Sequence, residues 1–311
     1  MNNRRDEKLG VILVTACYSI FAFMSIFWSL LSDLDSVYVL AHRIVWSLLF
    51  LGIYMIFTGE IKDVAAALKD GKIFLKCLIC GLLISLNWVL FIFAASSSNV
   101  LNGSLGNAIQ PLFVAVIGLL VFKEKASMLE KISFYLAAIG IAYIIIRAKI
   151  FPWLALLIAI TFAIYGAIKK NMDVSPQVSL FVETLCMTIP SIIYIVILEV
   201  NSSGAIGVLK SYEFLLLPIS GLVTVIPMLL FNMGVKKIPY YVSGILMYVN
   251  PSLQLLIGLL FFHESMGRER MIGFIIIWTG ILFMIYDKIN VMRNSKQKKQ
   301  IEQGVSSDLN V

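Results

Sequence analysis

The chain has 311 residues, of which 60% are hydrophobic and only 14% charged, where a soluble domain carries about a quarter of its residues as Asp, Glu, Lys and Arg. A water-soluble fold is excluded. So is nucleic-acid binding as the meaning of the formal charge of +7, because Lys and Arg sit in short loops and tails beside apolar runs, where they set membrane orientation.

In chain order, Met1-Asn-Asn-Arg4-Arg5-Asp-Glu-Lys8 is a basic flank. The apolar run behind it is too long for a signal-peptide core and lacks an Ala-x-Ala cleavage site, so the first span is expected to be retained. Runs of about 20 apolar residues, enough to cross ~30 Å of hydrocarbon, recur along the chain. They predict ten spans, at 9–31, 36–57, 73–95, 100–122, 130–147, 151–168, 177–198, 214–234, 240–262 and 271–289. Between the second and third spans, residues 60–72 alternate Lys with Val and Ala and read as a short interfacial helix on the cytoplasmic face. Asp33 and Asp35 precede the second span. Asp173-Val-Ser175-Pro176 precedes the seventh, a cap followed by proline at the first helical position. Residues 290–311, rich in Lys, Gln and Ser, read as a disordered basic cytoplasmic tail.

The ten spans are one unit used twice. Asn107-Ala-Ile-Gln-Pro111 running on to Gly118 and Glu124 returns, 140 residues later, as Met247-Tyr-Val-Asn-Pro251 running on to Gly258 and Glu264. The same offset relates Asp33 to Asp173, Gly81 to Gly221, Leu90-Phe91 to Leu230-Phe231, Phe134 to Phe274 and Gly140-Ile141 to Gly280-Ile281. The repeats are expected at 9–147 and 151–289, after a short cytoplasmic N-terminus, 1–8. Five crossings is an odd number, so the second copy enters from the opposite side and the copies are inverted. The fold class is an all-α integral membrane protein of ten transmembrane helices in two inverted five-helix repeats. With both termini inside, nineteen Lys and Arg fall in inner segments against five in outer ones, which sets the orientation. Arg147 and Lys149, in the outer link between repeats, run against that trend.

Several polar residues lie too deep for composition to explain. Pro111 and Pro251 sit near mid-span, where a proline removes a backbone bond and frees the carbonyls of Asn107 and Met247. Such groups must face protein or a wet cavity. Asn102, Ser104, Asn107 and Gln110 surround one proline; Ser243, Tyr248 and Asn250 surround the other. A packing kink is the plainer alternative. Arg43 is the basic residue well inside a span, at a cost of ~2.5–3.5 kcal/mol, so it should face the bundle interior and find a partner. Its equivalent is Glu183. A direct ion pair is one arrangement, but each lies ~11 Å in from an opposite surface, leaving roughly 8 Å between backbones along the normal. The preferred arrangement has Arg43 lining the outer half of a pathway and Glu183 the inner, with Glu183 a candidate proton carrier. A carboxylate bonded to neighbouring helices is the alternative.

Arg43, Trp46 beside it, Asn87 and Trp88 in the third span, and Asn107, Gln110, Tyr248 and Asn250 around the two prolines are candidate ligand contacts, with Ser85, Thr224 and Asn232 nearby. Structural hydrogen bonding explains Thr224 and Asn232 equally well. Tyr18, Trp28, Tyr165, Tyr240 and Tyr241 are expected in interfacial aromatic belts. Glu124 and Glu264 end matching helices and read as structural. Catalytic and cofactor signatures are absent. His263-Glu264 lacks a following metal-ligand histidine and no Gly-rich phosphate loop occurs. Cys77-Leu-Ile-Cys80 has no second pair to complete a metal site, so these and Cys17 and Cys186 read as small apolar residues.

His42-Arg43-x-x-Trp46-Ser47, Asn87-Trp88-x-Leu90-Phe91-Ile92-x-Ala94, Ser104-Leu105-Gly106, Tyr165-Gly166 before Lys169-Lys170, Glu183-Thr184-Leu185 and the doubled Pro-Gly-Glu pattern together resemble the RarD-type branch of the EamA family, in the drug/metabolite transporter superfamily, over residues 9–289. The resemblance implies a central cavity lined mainly by the first four helices of each repeat, with the fifth and tenth supporting it. It also implies alternating access by rocking of the halves. RarD-like proteins usually carry Asn-Pro where this chain has Gln110-Pro111, and Gln-Tyr where it has Met247-Tyr248. Both positions border the implied cavity, so a substrate does not carry over.

The expected function is a plasma-membrane permease that exports small metabolites or drugs, with protons as a candidate coupling ion, the bilayer and a small-molecule substrate as partners, and no cofactor. A non-transporting sensor or assembly partner is the competing class. It predicts a solvent-poor core without a cavity at Arg43, Asn87, Gln110 and Asn250. An intramembrane enzyme is third, for want of a recognisable nucleophile and base.

Overall fold

The computed structural model describes residues 2–96, 100–149, 151–208, 213–261, 267–269 and 271–287. Among them the regular elements are helices: α1 Asn2–Ser29, α2 Ser36–Thr58, α3 Ile61–Lys69, α4 Gly71–Ser96, α5 Val100–Leu120, α6 Met128–Ala148, α7 Trp153–Lys170, α8 Pro176–Val200, the short α9 Ala205–Val208, α10 Leu216–Val235, α11 Tyr240–Leu246, α12 Val249–Leu260 and α13 Met271–Asp287. Eight segments are long and apolar enough to cross a membrane, and Leu105–Leu120 and Met271–Asp287 are shorter apolar helices. Their outward faces are greasy: Phe57 is 87% exposed and Val200 78%. Only lipid makes such a surface stable. Glu264, the tail from 290 and the side chains of Asn102 and Ser104 lie outside the described residues.

The helices start where local chemistry dictates. Asp35 accepts from the Tyr38 N–H at 2.8 Å to open α2. Ser175 does the same for Val178 at 3.2 Å ahead of Pro176 in α8. Ser127 and Glu130 form a reciprocal capping box at α6. The segment after α2 forms α3, which buries Val64 and Ala67 and leaves its lysines exposed, the one-sided pattern of a helix lying in an interface.

One expected span is not a single helix. The ninth divides into α11 and α12 around Met247 and Tyr248, because Pro251 has no N–H to offer the Met247 carbonyl. That carbonyl accepts from Asn250 N at 3.1 Å in a tighter turn. In the first repeat α5 runs through Pro111 unbroken.

The contacts divide the chain into two units. The first holds Met1–Glu124 and Pro152–Glu264, hence the first four spans of each repeat; the second holds Lys125–Phe151 and Ser265–Val311. Within the first unit the packing maps onto itself when the repeats are exchanged. α1 packs on α10 as α7 packs on α4, α2 on α10 as α8 on α4, and α5 on α7 as α12 on α1. The α2–α8 and α5–α11 contacts are their own counterparts. Equivalent glycines set two of these distances. A Cβ on Gly81 would stand 2.8 Å from the Glu183 carbonyl oxygen, and one on Gly221 would stand 2.5 Å from the Trp46 Cβ and 2.7 Å from the Ser47 nitrogen. Small residues there let the helices meet backbone to backbone.

In the second unit, α6 and α13 are tied at both ends. Ser127 donates to Asp287 at 2.7 Å, and Arg147 pairs with Glu269 at 2.6 Å with Tyr143 donating to the same carboxylate. Arg147, then Tyr143, hold that carboxyl below its usual range. Arg147, which ran against the charge trend of the outer link, therefore has a structural partner.

Candidate functional site

Arg43 lies on α2, in the third turn after the Asp35 cap. Its guanidinium carbon stands over the indole rings of Trp28 from α1 and Trp88 from α4, each centred 4.4 Å away. Its Nε donates to Thr224 Oγ1 of α10 at 3.0 Å. The side chain borders a cavity of about 410 Å³ whose lining draws on α1, α2, α4, α5, α7, α10 and α12. That volume falls within the ~300–1,000 Å³ of small-molecule sites. The walls are mostly apolar, with Phe21, Met24, Phe91, Phe162 and Met228 among them. The cavity reaches Ser32 and Ser36 at the α1–α2 turn.

Of the expected ligand contacts, Arg43, Asn87, Trp88, Asn107, Gln110 and Asn250 all line this cavity. The four residues at which a non-transporting protein predicts no cavity are therefore all on its wall. Asn87 also has a structural task, donating through Nδ2 to the Ile158 carbonyl at 2.7 Å and Thr161 Oγ1 at 3.0 Å on α7. Asn107 donates to Gln254 Oε1 at 3.2 Å and so joins α5 to α12. Asn250 is buried, and its Oδ1 has no hydrogen-bond partner.

Trp46 and Tyr248 are not on the wall. Trp46 packs with the cluster around Leu31, Tyr38 and Leu217, and Tyr248 is buried with its hydroxyl unpartnered. Pro111 and Pro251, also buried, shape α5 and the α11–α12 break without lining the cavity. The aromatic-belt expectation is corrected. Tyr18, Tyr165, Tyr240 and Tyr241 are buried within the bundle, and Trp28 caps Arg43. Their hydroxyl or ring faces meet protein groups, as when Tyr240 donates to the Ala163 carbonyl at 2.7 Å.

Glu183 does not reach Arg43. It faces Lys169 from the last turn of α7, whose Nζ lies 3.4 Å from both carboxylate oxygens and 2.6 Å from Ser179 Oγ. Both partners are almost fully buried, at 1% and 2% side-chain exposure, so neither charge is tolerable without the other. The Tyr165 hydroxyl lies 3.3 Å from Glu183 Oε1 and 3.3 Å from Asn232 Oδ1. Its single proton serves one of them at a time. A smaller pocket of about 30 Å³, room for roughly two waters, is lined by Glu183, Thr184, Ser47 and Ser85. Ile84, Trp88 and Met228 line both this pocket and the large cavity.

Beyond Lys169, Glu124 accepts from the backbone N–H of Tyr240 at 2.8 Å and of Tyr241 at 3.1 Å, and pairs with Lys170 at 3.5 Å. A carboxylate that ends a helix of one repeat thereby caps α11 of the other, where the helix dipole favours negative charge.

Among the described residues no group of three His, Cys, Asp or Glu side chains could hold a metal, and the four cysteines are free. What the arrangement offers is a polar-spotted apolar chamber formed by both repeats. The EamA-like transporter family matches the chain twice, over residues 8–146 and 150–286.

The chain belongs to the EamA-like transporter family. This EamA protein is 32% identical over 295 residues to the uncharacterized transporter YojE of Bacillus subtilis (strain 168), covering 94% of this chain and 98% of that one. It is 29% identical over 298 residues to the protein RarD of Streptomyces exfoliatus, covering 96% and 95%. A solved crystal structure only 13% identical superposes with a TM-score of 0.69 over 88% of this chain and 96% of the other, which shows a shared fold. The EamA protein is a multi-pass membrane transporter of the drug/metabolite class.

Proposed function

We propose that this EamA protein is a secondary permease that exports small metabolites or drugs across the plasma membrane by alternating access, with both termini cytoplasmic. The observation that carries the reading is the chamber at Arg43, formed jointly by both repeats and walled by Asn87, Trp88, Asn107, Gln110 and Asn250. On the orientation favoured by loop charge, the chamber runs towards the outer end of α1 and α2. The Lys169–Glu183 pair and the Glu124 cap then close the inner half. Rocking of the repeats about the chamber would exchange these ends.

Glu183 is the candidate proton carrier. Glu183 lines the small pocket that shares Trp88 with the chamber, and protonation would release Lys169 from the inner seal. The test is flux of a panel of amino acids, nucleosides, organic acids and antibiotics through purified protein in liposomes under an imposed pH gradient. Gradient-dependent movement is expected, and Glu183→Gln is expected to flatten its pH dependence. No movement of any compound removes the permease. Unchanged pH dependence in Glu183→Gln removes the proton role alone.

A further inference from the structure

We infer that the cargo of the large cavity is a singly charged organic anion, a carboxylate on an apolar, ring-sized body, held through Arg43; this rests on the permease reading. The guanidinium carbon lies over the rings of Trp28 and Trp88, and Nε is committed to Thr224. Its two terminal nitrogens make no hydrogen bond among the described residues, and no carboxylate lies within ion-pairing distance of it.

Among the described residues no Asp or Glu lines the chamber. A fixed cation therefore stands in a largely apolar space without a counter-charge, which is costly unless the chamber's occupant supplies one. The two indoles and Thr224 restrain the guanidinium, and its two uncommitted terminal nitrogens can offer the bidentate geometry a carboxylate matches.

Three further features narrow the class. A ligand ammonium would add a second cation with no acidic side chain to meet it, so a zwitterion is disfavoured against a net anion. One arginine suits one negative charge better than the two of a phosphate monoester. Phe21, Phe91 and Phe162 supply the apolar contact for the remainder.

Matched ligands test this on the intact protein in lipid nanodiscs, read by the fluorescence of the tryptophans beside Arg43. The probes are 3-phenyllactate, its neutral amide, phenylalanine and phenyl phosphate, so that charge and headgroup vary while the ring is constant. Phenyllactate is expected to saturate at a concentration at least tenfold below the other three. Arg43→Gln should weaken it tenfold or more, and Arg43→Lys should recover part of the loss.

Equal affinity for the amide or for phenylalanine, no saturation by phenyllactate, or an Arg43→Gln protein that binds it unchanged would overturn the anion. The ligand ranking needs no variant, so it stands even where Arg43→Gln fails to fold. Liposome flux separates the two readings. Movement of phenylalanine that survives Arg43→Gln leaves the permease and removes the anion, whereas no flux of any probe counts against the permease.

Discussion

Positions 43 and 183 are the same place in two copies of one unit, and the molecule treats them oppositely. Arg43 faces a chamber with its charge unpaired and its guanidinium carbon over the rings of Trp28 and Trp88. Glu183 is buried against Lys169 and Tyr165. The difference comes from the neighbours and not from the backbone. The equivalents of Tyr165 and Lys169 in the first repeat are Ser25 and Ser29, short side chains whose hydroxyls return to their own helix. Where the second repeat fills the space with a tyrosine and a lysine, the first leaves it open. An inverted pair with unlike fillings thus places an open chamber at position 43 and a shut, buried ion pair at position 183, the open and the shut end of the comparison.

The sharpest way to break the comparison is at the shut end. Lys169→Met strands a buried carboxylate and Glu183→Gln strands a buried ammonium, and removing one member of such a pair typically costs about 3–5 kcal/mol. The double variant leaves no charge behind and is expected to regain most of the loss. Thermal unfolding in detergent, followed for both singles and the double, reads this directly. Additive losses would mean that the two residues do not act as a pair. At position 43 the same logic predicts a small effect. Arg43→Gln forfeits two cation–π contacts of about 0.5–2 kcal/mol each but also removes an uncompensated charge, so its melting midpoint should move far less.

Equivalent glycines give a second contrast of intermediate size. At Gly221 an added methyl group meets the Trp46 Cβ and the Ser47 backbone within 2.7 Å, and nothing there can swing aside. At Gly81 the tight contact is one carbonyl oxygen, and the next neighbour is the flexible Met187 side chain. Gly221→Ala is therefore expected to cost about 1–3 kcal/mol, and Gly81→Ala less, by the usual penalty of overpacking. Equal losses in thermal melts would mean that the α2–α10 contact is no stiffer than the α4–α8 contact.

The repeat, its glycines and its capped helix starts were legible because each is a local rule written in residue types that apolar drift does not reproduce. Arg43 was legible as a charge with no business in lipid. Lys169 was not: at the end of a span and next to Lys170, it reads as an ordinary inner flank. Only packing shows that one lysine turns to Glu183 while the other turns to Glu124. Trp28 and the buried tyrosines were misplaced for a related reason. Aromatic rings near span ends suit a lipid interface and a protein interior equally, and helix rotation decides between them. Gln254 did leave a signal, since it lies four residues after Asn250 and so on the same face of α12. The break at Met247 followed from Pro251, but its absence at Pro111 has no local cause in the sequence.

The finest test of the contrast is Thr224, the neighbour that the two ends do not share. Its equivalent in the first repeat is Ile84, so Thr224→Val makes α10 resemble α4 at this point and leaves its shape nearly unchanged. The change removes the acceptor for Arg43 Nε, and one such bond is worth about 0.5–1.5 kcal/mol net. The two indoles still hold the guanidinium over their rings, so stability should hardly move. The fork would lose one anchor, and ligand affinity at Arg43 should fall about two- to tenfold. If affinity in the nanodisc titration is unchanged, the indoles alone orient Arg43 and the hydroxyl is incidental. A fall in stability without one in affinity would instead make Thr224 a brace between α2 and α10, and the open end would owe its geometry to packing alone.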